Sequence, residues 1–113
     1  MDELAKELEA LGFSVDLSYR GQGVLVLRDF HIDAGRDAGT VVDVGFPASG
    51  YPDTPPSAVY IRPILDPPAR GAVHASCPLG PAWVYWSRKI DDWPKDRSAK
   101  RIIRWLRSVF YYE

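Results

Sequence analysis

The sequence holds one cysteine and two histidines. A lone cysteine cannot close a disulfide within the chain, and with two distant histidines it does not make a zinc site. No resident metal is therefore expected, an organic cofactor is not called for either, and a free thiol fits a reducing, cytoplasmic location. Charge of one sign is not in surplus either: 14 Lys and Arg stand against 15 Asp and Glu, a net charge of −1. A general nucleic-acid binder needs excess positive charge to neutralise phosphates, so no nucleic-acid partner is expected. No apolar run approaches the roughly 20 residues that cross a bilayer, and the opening MDELAKELEA is acidic and amphipathic rather than a signal peptide. At 113 residues, residues 1–113 read as a single domain with material for one core.

What is plentiful is proline and aromatic side chains. The ten prolines all fall from Pro47 onward, and the aromatics include four tryptophans, at 83, 86, 93 and 105. Before them the periodicity is simple. Leu4, Leu8 and Leu11 make one stripe of a helix over Asp2–Leu11, ended by Gly12. Phe13, Val15, Leu17 and Tyr19 alternate with Ser14, Asp16 and Ser18, which predicts a strand. A turn at Arg20–Gly23 leads to a second strand over Val24–Phe30. A polar connection over His31–Gly39 leads to a third strand, Thr40–Phe46. Pro47–Pro56 suits neither helix nor central strand. A fourth strand follows over Ala58–Ile64, and Leu65–Trp86 reads as irregular. From Ser98, residues Ile102, Ile103, Leu106, Val109 and Phe110 form the apolar face of a last helix, with Lys100, Arg101, Arg104 and Arg107 opposite. The expected architecture is α+β: an N-terminal helix, a four-stranded antiparallel meander and a C-terminal amphipathic helix.

That order, together with Phe46-Pro47, Tyr51-Pro52 and Pro55-Pro56 ahead of the fourth strand, resembles the ubiquitin-conjugating enzyme (UBC) fold. Cys77 stands 21 residues after Pro56, where that family places its active-site cysteine, and Trp93-Pro94 precedes the last helix as it does there. Trp83-Val84-Tyr85-Trp86-Ser87-Arg88 resembles a signature of a bacterial branch, the prokaryotic conjugating-enzyme-like family E. The chain departs from the wider pattern in three ways. Asp66-Pro67-Pro68 stands where the family writes His-Pro-Asn, whose Asn stabilises the oxyanion of transfer. The gap from Cys77 to Trp93 is longer than usual, and the helices that normally follow the last one here are missing. The resemblance implies a minimal UBC-like fold and a bacterial protein that carries a ubiquitin-like modifier as a thioester on Cys77 and passes it to an amine. Its implied partners are the modifier, an activating enzyme and a JAB-type peptidase. The lost motif leaves a second expectation: a catalytically inactive UBC-fold module or scaffold for the modifier or the activating enzyme.

The candidate site residues are Cys77, His74, Asp91 and Asp92. A thioester carrier needs an exposed thiolate, and cations lower a thiol's pKa; Arg70, Arg88 and Lys89 are near in sequence. The competing reading of Cys77 is a small buried hydrophobe. His74 can act as acid or base near neutral pH, or be a plain loop histidine. Asp91 and Asp92 correspond by position to the acidic gate that orients an incoming amine, or else form a solvated turn that helps the last helix start. Asp66 reads as a turn residue before Pro67. Ser76 lacks the base that an oxygen nucleophile needs. The tryptophans read as core rather than as a stacking platform for bases. The basic face of the last helix reads as a solvated face or a dock for an acidic partner.

Overall fold

The computed structural model describes residues 1–63, 72–74 (backbone only) and 77–111. The N-terminal helix α1 runs over Asp2–Ala10. It stops where the amides of Gly12 and Phe13 close back on the carbonyls of Glu9 and Leu8, the pairing that satisfies a helix's last acceptors. Leu4 and Leu8 are fully buried. Leu11, expected in the same stripe, lies past the last helical turn and is 40% exposed.

Strands β1 (Ser14–Asp16), β2 (Val24–His31), β3 (Val41–Pro47) and β4 (Ala58–Arg62) pair in sequence as an antiparallel meander. The first strand is shorter than its alternation suggests. The Asp16 carboxylate accepts a hydrogen bond from the Ser18 amide at 2.8 Å and turns the chain out of the sheet. The sheet also does not stop at four strands. Strand β5 (Ala72–His74) and strand β6 (Val84–Ser87) extend it to six, in the order β1-β2-β3-β4-β6-β5, so part of the stretch read as irregular is sheet. The two-residue period was present in Val84-Tyr85-Trp86-Ser87: Val84 and Trp86 face the main core and Tyr85 the other side.

The helix α2 spans Ala99–Tyr111. Its apolar positions Ile102, Ile103, Leu106, Val109 and Phe110 are all buried, as the spacing requires. Ser98 opens it, accepting a hydrogen bond from the Arg101 amide through its hydroxyl. The Asp91 and Asp92 carboxylates do not cap it; their exposed turn supports the helix start through the Asp91 carbonyl instead. Asp92 precedes a short 3₁₀ turn, Trp93–Lys95, and makes no side-chain capping bond. Arg101 reaches the Asp91 carbonyl and Arg104 the Asp96 carboxylate, tying this end of α2 to the preceding turn. At the far end, Gly35 lies against the Phe110 carbonyl with φ +90°.

One face of the sheet carries the main core. Leu25, Val44, Phe46, Val59, Ile61 and Trp86 meet the apolar sides of α1 and α2 there. The other face carries a smaller cluster of Val24, Val26, Ala58, Tyr60 and Trp83. All four tryptophans are buried, none more than 3% exposed, so they are core and not a stacking platform. The proline loop is bound to the body through two of the quoted motif segments. The Tyr51 ring packs edge-on to Trp93, and the Trp93 indole N–H donates to the Pro52 carbonyl at 2.9 Å. The Tyr51 hydroxyl in turn donates to Glu7 on α1.

Candidate functional site

Cys77 sits on the segment that leads into β6. This segment folds back over the face of the sheet opposite the helices. Leu79 lies directly above Gly45 of β3. A Cβ on Gly45 would stand 3.3 Å from the Leu79, Val24 and Val26 methyls, so the glycine lets Leu79 seat closely against the strand. The Gln22 side-chain amide reaches toward the Pro78 carbonyl at 3.5 Å. Cys77 is half-buried and packs with Leu79, Tyr19 and Tyr85 against the Tyr60 and Trp83 cluster. Burial pushes the thiol pKa up, and the Leu79 amide, donating to the sulfur, offsets this only in part. The same burial, with Tyr85 and Cys77 as neighbours, raises the Tyr60 phenol.

A row of charges runs across this outer face to the rim of the cluster. Arg28 on β2 pairs with Asp16 on β1 at 2.6 Å and with Asp43 on β3 at 3.3 Å. Asp43 pairs in turn with Arg62 on β4 at 2.8 Å. The Arg62 guanidinium stands 4.5 Å from the centre of the Trp83 ring, a cation–π contact. These residues share the face because Arg28, Asp43 and Arg62 each continue the alternation of Val26, Gly45 and Tyr60 on their own strands.

Hydrogen bonds donated by the Ser18 hydroxyl and amide, with Arg28 beyond, hold the Asp16 carboxyl below its usual range against the opposing effect of burial. Burial also pushes the Asp43 carboxyl up, but the bonds from Arg62 and the Asp29 amide and the Arg28 charge outweigh it, so the net shift is downward. A carboxylate depressed in the folded state stabilises the fold above its unfolded pKa, about 3.9, and loses that contribution as pH falls through the folded value. Urea denaturation is therefore expected to show stability dropping between about pH 5 and pH 2, with a shallower drop in Asp43→Asn and a lower plateau at neutral pH. An unchanged pH profile in that variant would remove Asp43 from the ladder.

The other candidates are placed differently. Ile90 and Trp93, which flank Asp91 and Asp92, are in the helix-side core, while Cys77 packs on the opposite face, so the sheet lies between the two. Asp91 and Asp92 are exposed on their turn, and Asp92 lies 3.9 Å from the Lys95 amine. Arg88 turns to the Trp86 ring, 5.5 Å from its centre, rather than to the thiol. His74 has its backbone in β5, in register with Tyr85, and its side chain lies outside the described residues, as do Asp66, Pro67, Pro68, Arg70 and Ser76. The residues of the thiol's cluster, Tyr19, Tyr60, Leu79, Trp83 and Tyr85, and Arg62 over the Trp83 ring at its rim, were not singled out from the sequence as its neighbours. Alternation on β4 was the available signal for Tyr60 and Arg62; the Leu79–Gly45 contact left none. No group of three or more His, Cys, Asp or Glu suited to a metal ion occurs among the described residues, and no helix among them is long and apolar enough to cross a membrane.

No protein family, no curated protein and no solved structure matches this chain. The likeness to the UBC fold rests on the residues quoted for it.

Proposed function

We propose that this chain is a UBC-like binding module that holds its partner proteins without forming a thioester. The observation that carries this reading is the setting of Cys77. Its sulfur belongs to an apolar cluster, burial suppresses its acidity, and the paired aspartates are across the sheet from it. A thioester carrier works through a thiolate presented to a large incoming tail. The meeting of Tyr51-Pro52 with Trp93 supports the UBC part of the reading, because it joins two of the motif segments on which the resemblance stands. The resemblance supplies the partners: a ubiquitin-like modifier or its activating enzyme, in a pathway with a JAB-type peptidase. One observation favours a thioester carrier instead, the Leu79 amide directed at the sulfur, since a hydrogen bond to a thiolate stabilises it.

Two measurements separate these readings. Ellman's reagent is expected to react slowly with the native chain, with a pH midpoint above the roughly 8.5 of a free thiol, and rapidly once the chain is unfolded. Incubation with the modifier, its activating enzyme and ATP is expected to give a complex but no thiol-sensitive adduct, and Cys77→Ala is expected to form the same complex. An adduct that disappears on adding thiol and is absent from Cys77→Ser would overturn the binding-module reading in favour of the carrier.

A further inference from the structure

A groove of about 650 Å³ runs beside the end of α1 and along α2 as far as Arg107, within the size range of ligand clefts. Leu11, Phe13 and Ile103 give it an apolar floor, and Lys100, Arg104 and Arg107 line it. The three cations are spaced i, i+4 and i+7 and so form one stripe along α2. The groove has a single carboxylate, Asp96, which is engaged by Arg104 at 2.6 Å. Arg107 has a loose 3.7 Å contact with Asp33, and Lys100 has no ion-pair partner among the described residues. In a chain of net charge −1, this is a local surplus of positive charge beside exposed apolar surface, with Leu11 40% accessible.

We infer that this groove docks an acidic amphipathic segment of a partner protein, its apolar side chains on Leu11, Phe13 and Ile103 and its carboxylates against Lys100, Arg104 and Arg107. Charge complementarity selects the sign of the partner, and the apolar floor selects a protein segment over a simple anion. A second copy of this chain is a poor occupant. Its own acidic helix, α1, has the leucines Leu4 and Leu8 fully buried and could not offer them without leaving its core. The surface is separate from Cys77, so the inference does not depend on whether that thiol carries a thioester.

The probe is a fluorescein-labelled peptide with two leucines one helical turn apart flanked by glutamates, compared with a twin carrying glutamine in place of each glutamate. Anisotropy is expected to show saturable binding of the acidic peptide that weakens as salt is raised. Lys100→Glu with Arg107→Glu is expected to reduce affinity by at least about tenfold, and Leu11→Ser to weaken it at low and high salt alike. Lys100→Gln with Arg107→Gln serves as a milder second variant, and thermal melts matching the parent protein verify that each variant is folded. Equal binding of the acidic and neutral peptides would overturn the inference. So would single-stranded DNA binding as tightly as the acidic peptide and competing with it, or self-association of the chain that the charge-reversed variant abolishes.

Discussion

Replacing Trp86 with alanine is expected to destabilise the protein by about 3–5 kcal/mol, a large part of the 5–15 kcal/mol that holds a typical domain. Trp86 is fully buried. It stands opposite Val59 on β4 and Val73 on β5, with the Phe110 ring of α2 5.9 Å away. Its loss opens a cavity where two strand pairings and a helix meet, and none of these can move in to fill it without breaking register. Trp86→Phe is expected to cost much less, about 1.5 kcal/mol or below. The indole N–H is buried with no hydrogen-bond partner among the described residues, so its removal strands no acceptor there. Urea denaturation followed by circular dichroism measures both variants. A cost near zero for the alanine variant would mean that Trp86 does not join β6 to the core under α2.

Gly35→Ala is expected to have the second largest effect. Gly35 and Gly39 have nearly the same positive φ, +90° and +91°, which costs an ordinary residue about 1–3 kcal/mol. They differ in space. A Cβ at Gly39 meets nothing within 4 Å, whereas one at Gly35 falls on the Phe110 carbonyl, which is backbone and cannot rotate aside. Gly39→Ala is expected to show the conformational cost alone, and Gly35→Ala at least about 2 kcal/mol more, with the apolar face of α2 lifted at its last turn. At roughly 4 °C per kcal/mol for a domain of this size, differential scanning calorimetry resolves the two easily. Equal melting temperatures for the variants would show that α2 does not rest on this loop.

The helices and the first four strands were legible because each shows its face by period. The buried set of α2 is the set its spacing names, and Val15, Val44 and Ile61 lie where alternation puts them. Strand β2 is buried on both sides, Val24 through Leu27 without a break. The cause is a covering segment some fifty residues away, whose Leu79 seats on Gly45. Strand β6 was hidden by its setting among Gly80, Pro81 and two tryptophans, although it alternates. The surroundings of Cys77 were beyond sequence spacing altogether. The chain reaches the outer face of the sheet through a fold-back, and Asp91 and Asp92 follow a strand that delivers them to the helix side. Closeness in sequence to the cysteine says nothing about which side of a sheet a residue ends on.

The two ends of α2 are both seized. At its start, Arg101 and Arg104 grip the Asp91 carbonyl and the Asp96 carboxylate; at its finish, the Phe110 carbonyl abuts Gly35. The last turn of α2 therefore lies against the connection between β2 and β3, and any side chain added at Gly35 has to displace one of the two.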